Sequence, residues 1–261
     1  MPLTPTEMIA LMVAAAAAGA INAVAGGGTL VTFPLLLLFG TPPVVANATS
    51  TLALSVGTAG SLFGYRNRIA AVKPWLWRFV PVSLLGGLLG GVLLTRTGNE
   101  SFARLVPFLI LFATILFLAQ GAFRRLAGFG DTPGAVVRHH HVRVAVLFQF
   151  AVAVYGGFFG AGIGILMLAS LGFIGLTDIH EMNGLKTILG ALINLVATLW
   201  FVAAGLVDWP RALIMTVGAV AGYYSGAHFA QRIPQRGVRW LITAIGFVIA
   251  LTTFYQQFWR S

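Results

Sequence analysis

The stretch Ala23-Val24-Ala25-Gly26-Gly27-Gly28-Thr29-Leu30-Val31-Thr32-Phe33-Pro34-Leu35-Leu36-Leu37-Leu38 decides how the rest of the chain is read. An apolar run meets three consecutive glycines, resumes, and is stopped by Gly40-Thr41-Pro42-Pro43. Residues 29–40 reach only roughly 18 Å as a helix, well short of a bilayer core of about 30 Å. A second stretch behaves the same way: Gly160-Ala161-Gly162-Ile163-Gly164 leads into the short apolar run 163–175. Both runs read as half-helices entered through a glycine break.

The surrounding composition fixes the solvent. Of 261 residues, 58% are hydrophobic and 8% charged, with 32 glycines and 20 phenylalanines, and mean hydropathy is +0.92. A soluble domain carries about 25% charged residues, so this chain could not cover a water-facing surface. The reading is an all-α polytopic membrane protein whose first partner is the lipid bilayer. A cytosolic enzyme, a secreted disulfide scaffold and a disordered tail are excluded, and the absence of cysteine excludes thiolate chemistry. The net charge of +10 does not point to nucleic acid. Its positive residues sit in short gaps between apolar runs, as topology-setting loops do. Met1–Glu7 has no Lys or Arg, so the first run is expected to be retained rather than cleaved as a leader.

Apolar runs between charges and Pro or Gly breaks give ten segments, near 8–25, 29–40, 44–64, 79–95, 105–123, 144–159, 163–175, 185–206, 212–230 and 240–259. Arg104/Arg239, Gly87/Gly222 and Gly91/Gly226 are each 135 residues apart, and Asn47/Asn183 are 136 apart. An internal duplication follows, with 1–130 as the first membrane repeat and 131–261 as the second. Loops 65–78 and 124–143 total +4 and +3, whereas 96–104 totals +1. In the second half the bias reverses, with zero at 207–211 and +3 at 231–239. The same order with opposite charge bias marks inverted repeats. Each half then crosses an odd number of times, five if the short run crosses and three if it re-enters, and both termini lie outside.

The glycine breaks carry the chemistry. Non-helical backbone inside a membrane is tolerated only against protein or a polar cavity, and each half-helix start aims free N–H groups and a positive dipole end into that cavity. Gly27, Gly28, Thr29, Gly162 and Gly164 therefore form a candidate anion cradle. Packing through small residues is the alternative, but packing needs no interruption. The uninterrupted patterns Gly86/Gly90, Gly87/Gly91 and Gly218/Gly222/Gly226 do read as packing surfaces. After each short run comes a polar helix start: Asn47, Thr49, Ser50, Thr51 and Ser55 in the first half, and Asp178, His180, Glu181, Asn183, Lys186 and Thr187 in the second. Asp178 and Glu181 suit helix capping. Lys186 heads the run 187–206, which holds no other charge, and stands five residues after Glu181, a spacing that does not stack on a helix. It is either a counter-charge for an anion or a side chain snorkelling to the interface.

Asn22, Asn194 and Gln149 suit interhelical hydrogen bonds as well as ligand binding. His139-His140-His141 reads as a solvated loop, and Gly184 stands where a His-Glu-x-x-His site needs its second histidine. No metal and no cofactor are expected. Lys73 follows Val72 and Lys186 follows Leu185, so no nucleotide-binding lysine is present. A gradient must drive any active transport. Proton coupling is the natural reading, with His180, Glu181 and His228 the nearest titratable groups.

Ala18-Gly19-Ala20-Ile21-Asn22-Ala23-Val24-Ala25-Gly26-Gly27-Gly28-Thr29-Leu30, then Pro34 and Pro42-Pro43-Val44-Val45-Ala46-Asn47-Ala48-Thr49, resembles the sulfite exporter TauE/SafE family, also called toluene sulfonate uptake permeases. Gly156-Gly157-Phe158-Phe159-Gly160-Ala161-Gly162 and Lys186-Thr187 continue the likeness over about residues 10–258. The resemblance implies a duplicated, multi-pass protein of about eight spans in the cytoplasmic membrane, a secondary transporter of small sulfur-containing anions such as sulfite or sulfonates. Many relatives carry a lysine after the proline turn, where this chain reads Ala48-Thr49-Ser50-Thr51-Leu52. One cation instead of two would suit a less charged anion.

These strands give one expected site. A small anion sits near midplane, held by N–H groups around Gly27, Gly28, Gly162 and Gly164, by Thr29, Asn47 and Thr51, and by Lys186 with Asn183 and Thr187 beside it. One repeat rocks against the other to alternate access. A passive anion channel would use the same cradle. A membrane-embedded hydrolase or transferase would instead use Asp178, His180 and Glu181.

Overall fold

The computed structural model describes residues 3–24, 27–65, 69–126, 139–173, 179–229 and 235–258. These form α1 (Pro5–Val24), α2 (Thr29–Leu38), α3 (Pro43–Tyr65), α4 (Ile69–Leu126), α5 (His139–Phe158), α6 (Ile163–Phe173), α7 (Ile179–Ala203), α8 (Trp209–Phe229) and α9 (Gln235–Phe258). All ten expected segments are present, because α4 is two helices joined at Gly98. That residue has φ 71° and ψ 163°, a backbone state open to glycine and to few others. The adjacent Asn99 carboxamide accepts the Val44 N–H at 3.0 Å, satisfying a donor that the start of α3 would otherwise strand.

Several helices overrun the hydropathy boundaries. The first arm of α4 begins at Ile69 rather than 79, and α7 begins at Ile179 rather than 185. His139 opens α5 instead of lying in a loop. Hydropathy marks only the apolar middle of a helix, and the backbone ladder continues into its polar ends. In the first arm of α4, the Arg78 guanidinium lies 5.5 Å from the Trp75 ring centre. α2 and α6, with 10 and 11 residues, are the two short elements.

The exposed surface, like the core, is rich in large apolar side chains. Leu89, Phe112, Leu199, Leu213 and Leu251 are exposed, while Thr32, Asn47, Thr49, Ser50 and Gln149 are buried. Apolar outside and hydrogen-bonded polar inside is what a lipid surround selects. Among the described residues, Pro5–Ala23, Val72–Ala119 and Glu181–Ala203 are helical stretches long and apolar enough to cross a membrane.

Two close seams organise the packing. α1 lies along α8, and α5 lies along the first arm of α4. A Cβ at Gly218, Gly222 or Gly226 would strike the backbone of Met12, Ala16 or Ala20, and one at Gly86 or Gly90 would strike the backbone at Phe150 or Val154. Both seams are therefore parallel, and the small-residue patterns pack as expected. The seam glycines Gly86/Gly222 and Gly90/Gly226 are 136 residues apart, the spacing of Asn47/Asn183. Gly91 makes only ordinary contacts, the nearest with Trp200 at 3.4 Å. Gln149 joins the α4–α5 seam, donating to the Ser83 hydroxyl at 3.0 Å.

Candidate functional site

Both glycine turns are tied back to the helix before them by a side chain six residues upstream. In the first, the Asn22 Oδ1 accepts the Gly28 N–H at 2.6 Å, and Gly27 has φ 95°. In the second, the Tyr155 hydroxyl donates to the Ala161 carbonyl at 2.8 Å, with the Tyr155 ring edge-on to Phe112 at 5.3 Å. Phe117 of α4 lies against both turns. A Cβ at Gly27 would overlap its ring, and one at Gly162 would lie 3.8 Å from it. The N–H groups of Thr29, Gly162 and Gly164 meet no backbone acceptor among the described residues. Helix starts α2 and α6 thus bring free donors to one place.

A cavity of about 310 Å³ opens there, within the range of small-molecule sites. Eight of the ten residues expected from the sequence line it: Gly27, Thr29, Thr51, Gly162, Gly164, Asn183, Lys186 and Thr187. Gly28 and Asn47 stand behind the wall. A Cβ at Gly28 would come within 2.5 Å of the Ala18 carbonyl oxygen, so this glycine serves a close approach to α1. Asn47 is 1% exposed and donates to the Phe158 carbonyl at 3.1 Å. Glu181 is not among the lining residues. Asp178 and the side chains of His180, His228 and His139 to His141 lie outside the described residues.

Lys186 is the single charged side chain among the described lining residues. Its aliphatic chain lies over Gly164, with Cδ 3.3 Å from where a Cβ there would stand. Its ammonium donates to Asn183 Oδ1 at 3.1 Å, the neighbour three residues back on the same helix face. The ion pairs among the described residues are Arg104–Glu100 and Arg211–Asp208, and neither involves it. Among the described residues, the cavity therefore offers one positive charge with no carboxylate in its lining, together with backbone donors that meet no backbone acceptor.

Asn22, Thr58, Asn194 and Tyr223, with Phe117 and Phe159, complete the wall. The Tyr223 hydroxyl bonds Thr58 at 2.7 Å and is also bonded by Asn22, while Thr58 donates to the Leu54 carbonyl at 2.8 Å. A sequence signal for some of these existed. Thr51/Thr187 and Thr58/Asn194 repeat the 136-residue spacing of Asn47/Asn183. The same spacing sets Ser50 against Lys186, and Ser50 is fully buried and bonded to Thr32 at 2.6 Å, away from the cavity.

Phe159 in the cavity wall meets Phe33 edge-on at 5.5 Å and Phe102 at 6.4 Å. Phe102 in turn meets Phe158 at 5.5 Å. The lining stripe on α7 starts at Asn183, about one turn from the helix start at Ile179.

Comparison with known proteins agrees with this architecture. The model of the sulfite exporter TauE/SafE family matches residues 11–253. A probable membrane transporter protein of Haemophilus influenzae is 28% identical over 241 residues, covering 92% of this chain and 91% of its own length. One from a Sinorhizobium species is 26% identical over 246 residues, covering 92% and 90%. The probable membrane transporter protein YfcA of Escherichia coli is 24% identical over 258 residues, covering 98% and 92%. No solved structure shows significant similarity. A match running from α1 to α9 through both glycine turns leaves one conclusion: this multi-pass membrane protein is a transporter and belongs to the sulfite exporter TauE/SafE family.

Proposed function

We propose that the protein is a secondary transporter of small sulfur-containing anions, sulfite or a sulfonate, and that they bind in the cavity between the two glycine turns. The observation that carries this reading is Lys186, the single charged side chain among the described lining residues of a cavity edged by two helix starts whose N–H donors meet no backbone acceptor among the described residues. Such a site favours an anion through charge and through oriented donors together. The restriction to sulfur anions rests on the family resemblance.

The same reading takes residues 1–130 and 131–261 as related halves of opposite orientation. Its support is the repeated order of one long, one short and three long segments, together with the recurrent 136-residue spacing. The test is flux of radiolabelled sulfite into liposomes carrying the purified protein, with sulfate and a sulfonate as competitors. Saturable uptake is expected, falling about a hundredfold in Lys186→Ala, because truncating one partner of a buried charge pair costs roughly 2–5 kcal/mol. Equal uptake by the variant would remove Lys186 from the site.

A further inference from the structure

The anion-transport reading leaves the driving ion unassigned, and the cavity itself supplies a candidate. Besides Lys186, Tyr223 is the one ionisable residue among the described lining residues, and its hydroxyl is already committed to Thr58 and Asn22. The helices packed on α7 are α3, α4, α5 and α6. Toward the cavity α3 presents Thr51 and Thr58, α4 presents Phe117, and α6 presents Gly164, Ile165 and Met167. α5 contributes Tyr155, whose hydroxyl is spent on the Ala161 carbonyl. On α7 itself, Glu181 lies off the lining and has its own interaction.

A carrier must return empty as well as loaded. An isolated ammonium in a water-poor interior is costly, and with a singly charged anion beside it the pair is neutral. With the anion gone, the charge is uncompensated unless the proton leaves as well. Lysine can shed its proton when desolvated, whereas arginine stays charged in proteins. Resting on the transport reading above, we propose that Lys186 is also the proton site, so that one proton and one monovalent anion cross together with no net charge. On the entry face the neutral amine takes a proton from water and then pairs with the anion. On the exit face the anion departs, the ammonium returns its proton to water, and the neutral amine reorients.

The experiment uses liposomes carrying the full-length protein and radiolabelled ethanesulfonate, whose charge stays at one over the working pH range, with sulfite in parallel. Wild type should accumulate ethanesulfonate when the outside is made acid, be indifferent to an imposed membrane potential, and take up about one proton per anion by an internal pH dye. Lys186→Arg should keep exchange of internal for external anion at equal pH, while acid-driven accumulation falls at least tenfold. Accumulation that follows the membrane potential, or wild-type flux without proton uptake, overturns the coupling and leaves transport standing. So does acid-driven accumulation by Lys186→Arg at the wild-type level. If Lys186→Arg loses exchange too, wild-type stoichiometry decides, with one proton per anion in favour and none against. Absence of any exchange of ethanesulfonate or sulfite by wild type defeats the transport reading itself, and the coupling with it.

Discussion

Glycine does opposite work in the helix seams and in the two turns at the cavity. In the seams, Gly90 and Gly222 are helical, and their missing side chains let backbone touch backbone. At the turns, Gly27, Gly160 and Gly162 have φ of 95°, 81° and 81°, a left-handed backbone that glycine adopts without strain, and all three line the cavity. The first use holds the helices together and the second lets the chain turn beside the cavity. Composition alone cannot separate them, because both appear as glycine in an apolar run. What separates them is whether the helix continues.

Substitutions can break this contrast, starting with the seams. Gly222→Ala puts a methyl group into the Ala16 carbonyl, where nothing flexible can give way. Forced overpacking of this kind costs about 3 kcal/mol or more. The expected outcome is loss of folded, monodisperse protein in detergent, read by thermal unfolding and size-exclusion profile. A variant with wild-type thermal stability would mean that the α1–α8 approach is looser than described.

Gly164→Ala sharpens the contrast from the other side. Its methyl group would meet Lys186 Cδ at 3.3 Å, close enough to displace the end of a flexible side chain by a few tenths of an ångström. Folding should be unaffected while apparent anion affinity falls about tenfold, equivalent to roughly 1.4 kcal/mol. Unchanged affinity in a concentration series would argue that the ammonium position is not tuned by this wall. The smallest effect belongs to Gly91→Ala, whose added methyl would find its first neighbour at 3.4 Å. Neither flux nor melting temperature should move appreciably, although Gly90, one residue away, overlaps the Val154 carbonyl. Sensitivity at both positions would dissolve the seam assignment.

Much of the fold was legible because glycine and proline punctuate an otherwise apolar chain. The breaks at 26–28 and 160–164 located the short helices, and the polar residues after them located Thr51, Asn183, Lys186 and Thr187 of the cavity wall. The limits of that reading have identifiable causes. A loop was expected at 96–104, yet a single dihedral at Gly98 turns the chain and Asn99 is used at once to cap α3. Spacing identified Lys186 by rejecting Glu181 as its partner, but the partner is neutral Asn183, which a search for opposite charge passes over. Tyr223 went unnoticed because it stands among seam glycines, and only the pairing of α1, α3 and α8 turns it toward Thr58. Asn47 was expected at the ligand, whereas its donation to the Phe158 carbonyl makes it a brace between α3 and the end of α5.

The α1–α8 seam also bears on how the protein is made. α1 leaves the ribosome well before its partner, which begins only at Trp209, some 185 residues after α1 ends at Val24. At a synthesis rate of about 5–20 residues per second, the wait is roughly ten to forty seconds. Throughout that interval the carbonyls of Met12 and Ala16 and the backbone at Ala20 have no glycine face to receive them. α1 is therefore seated late, and a chain interrupted anywhere before α8 leaves it with a bare packing face in the bilayer.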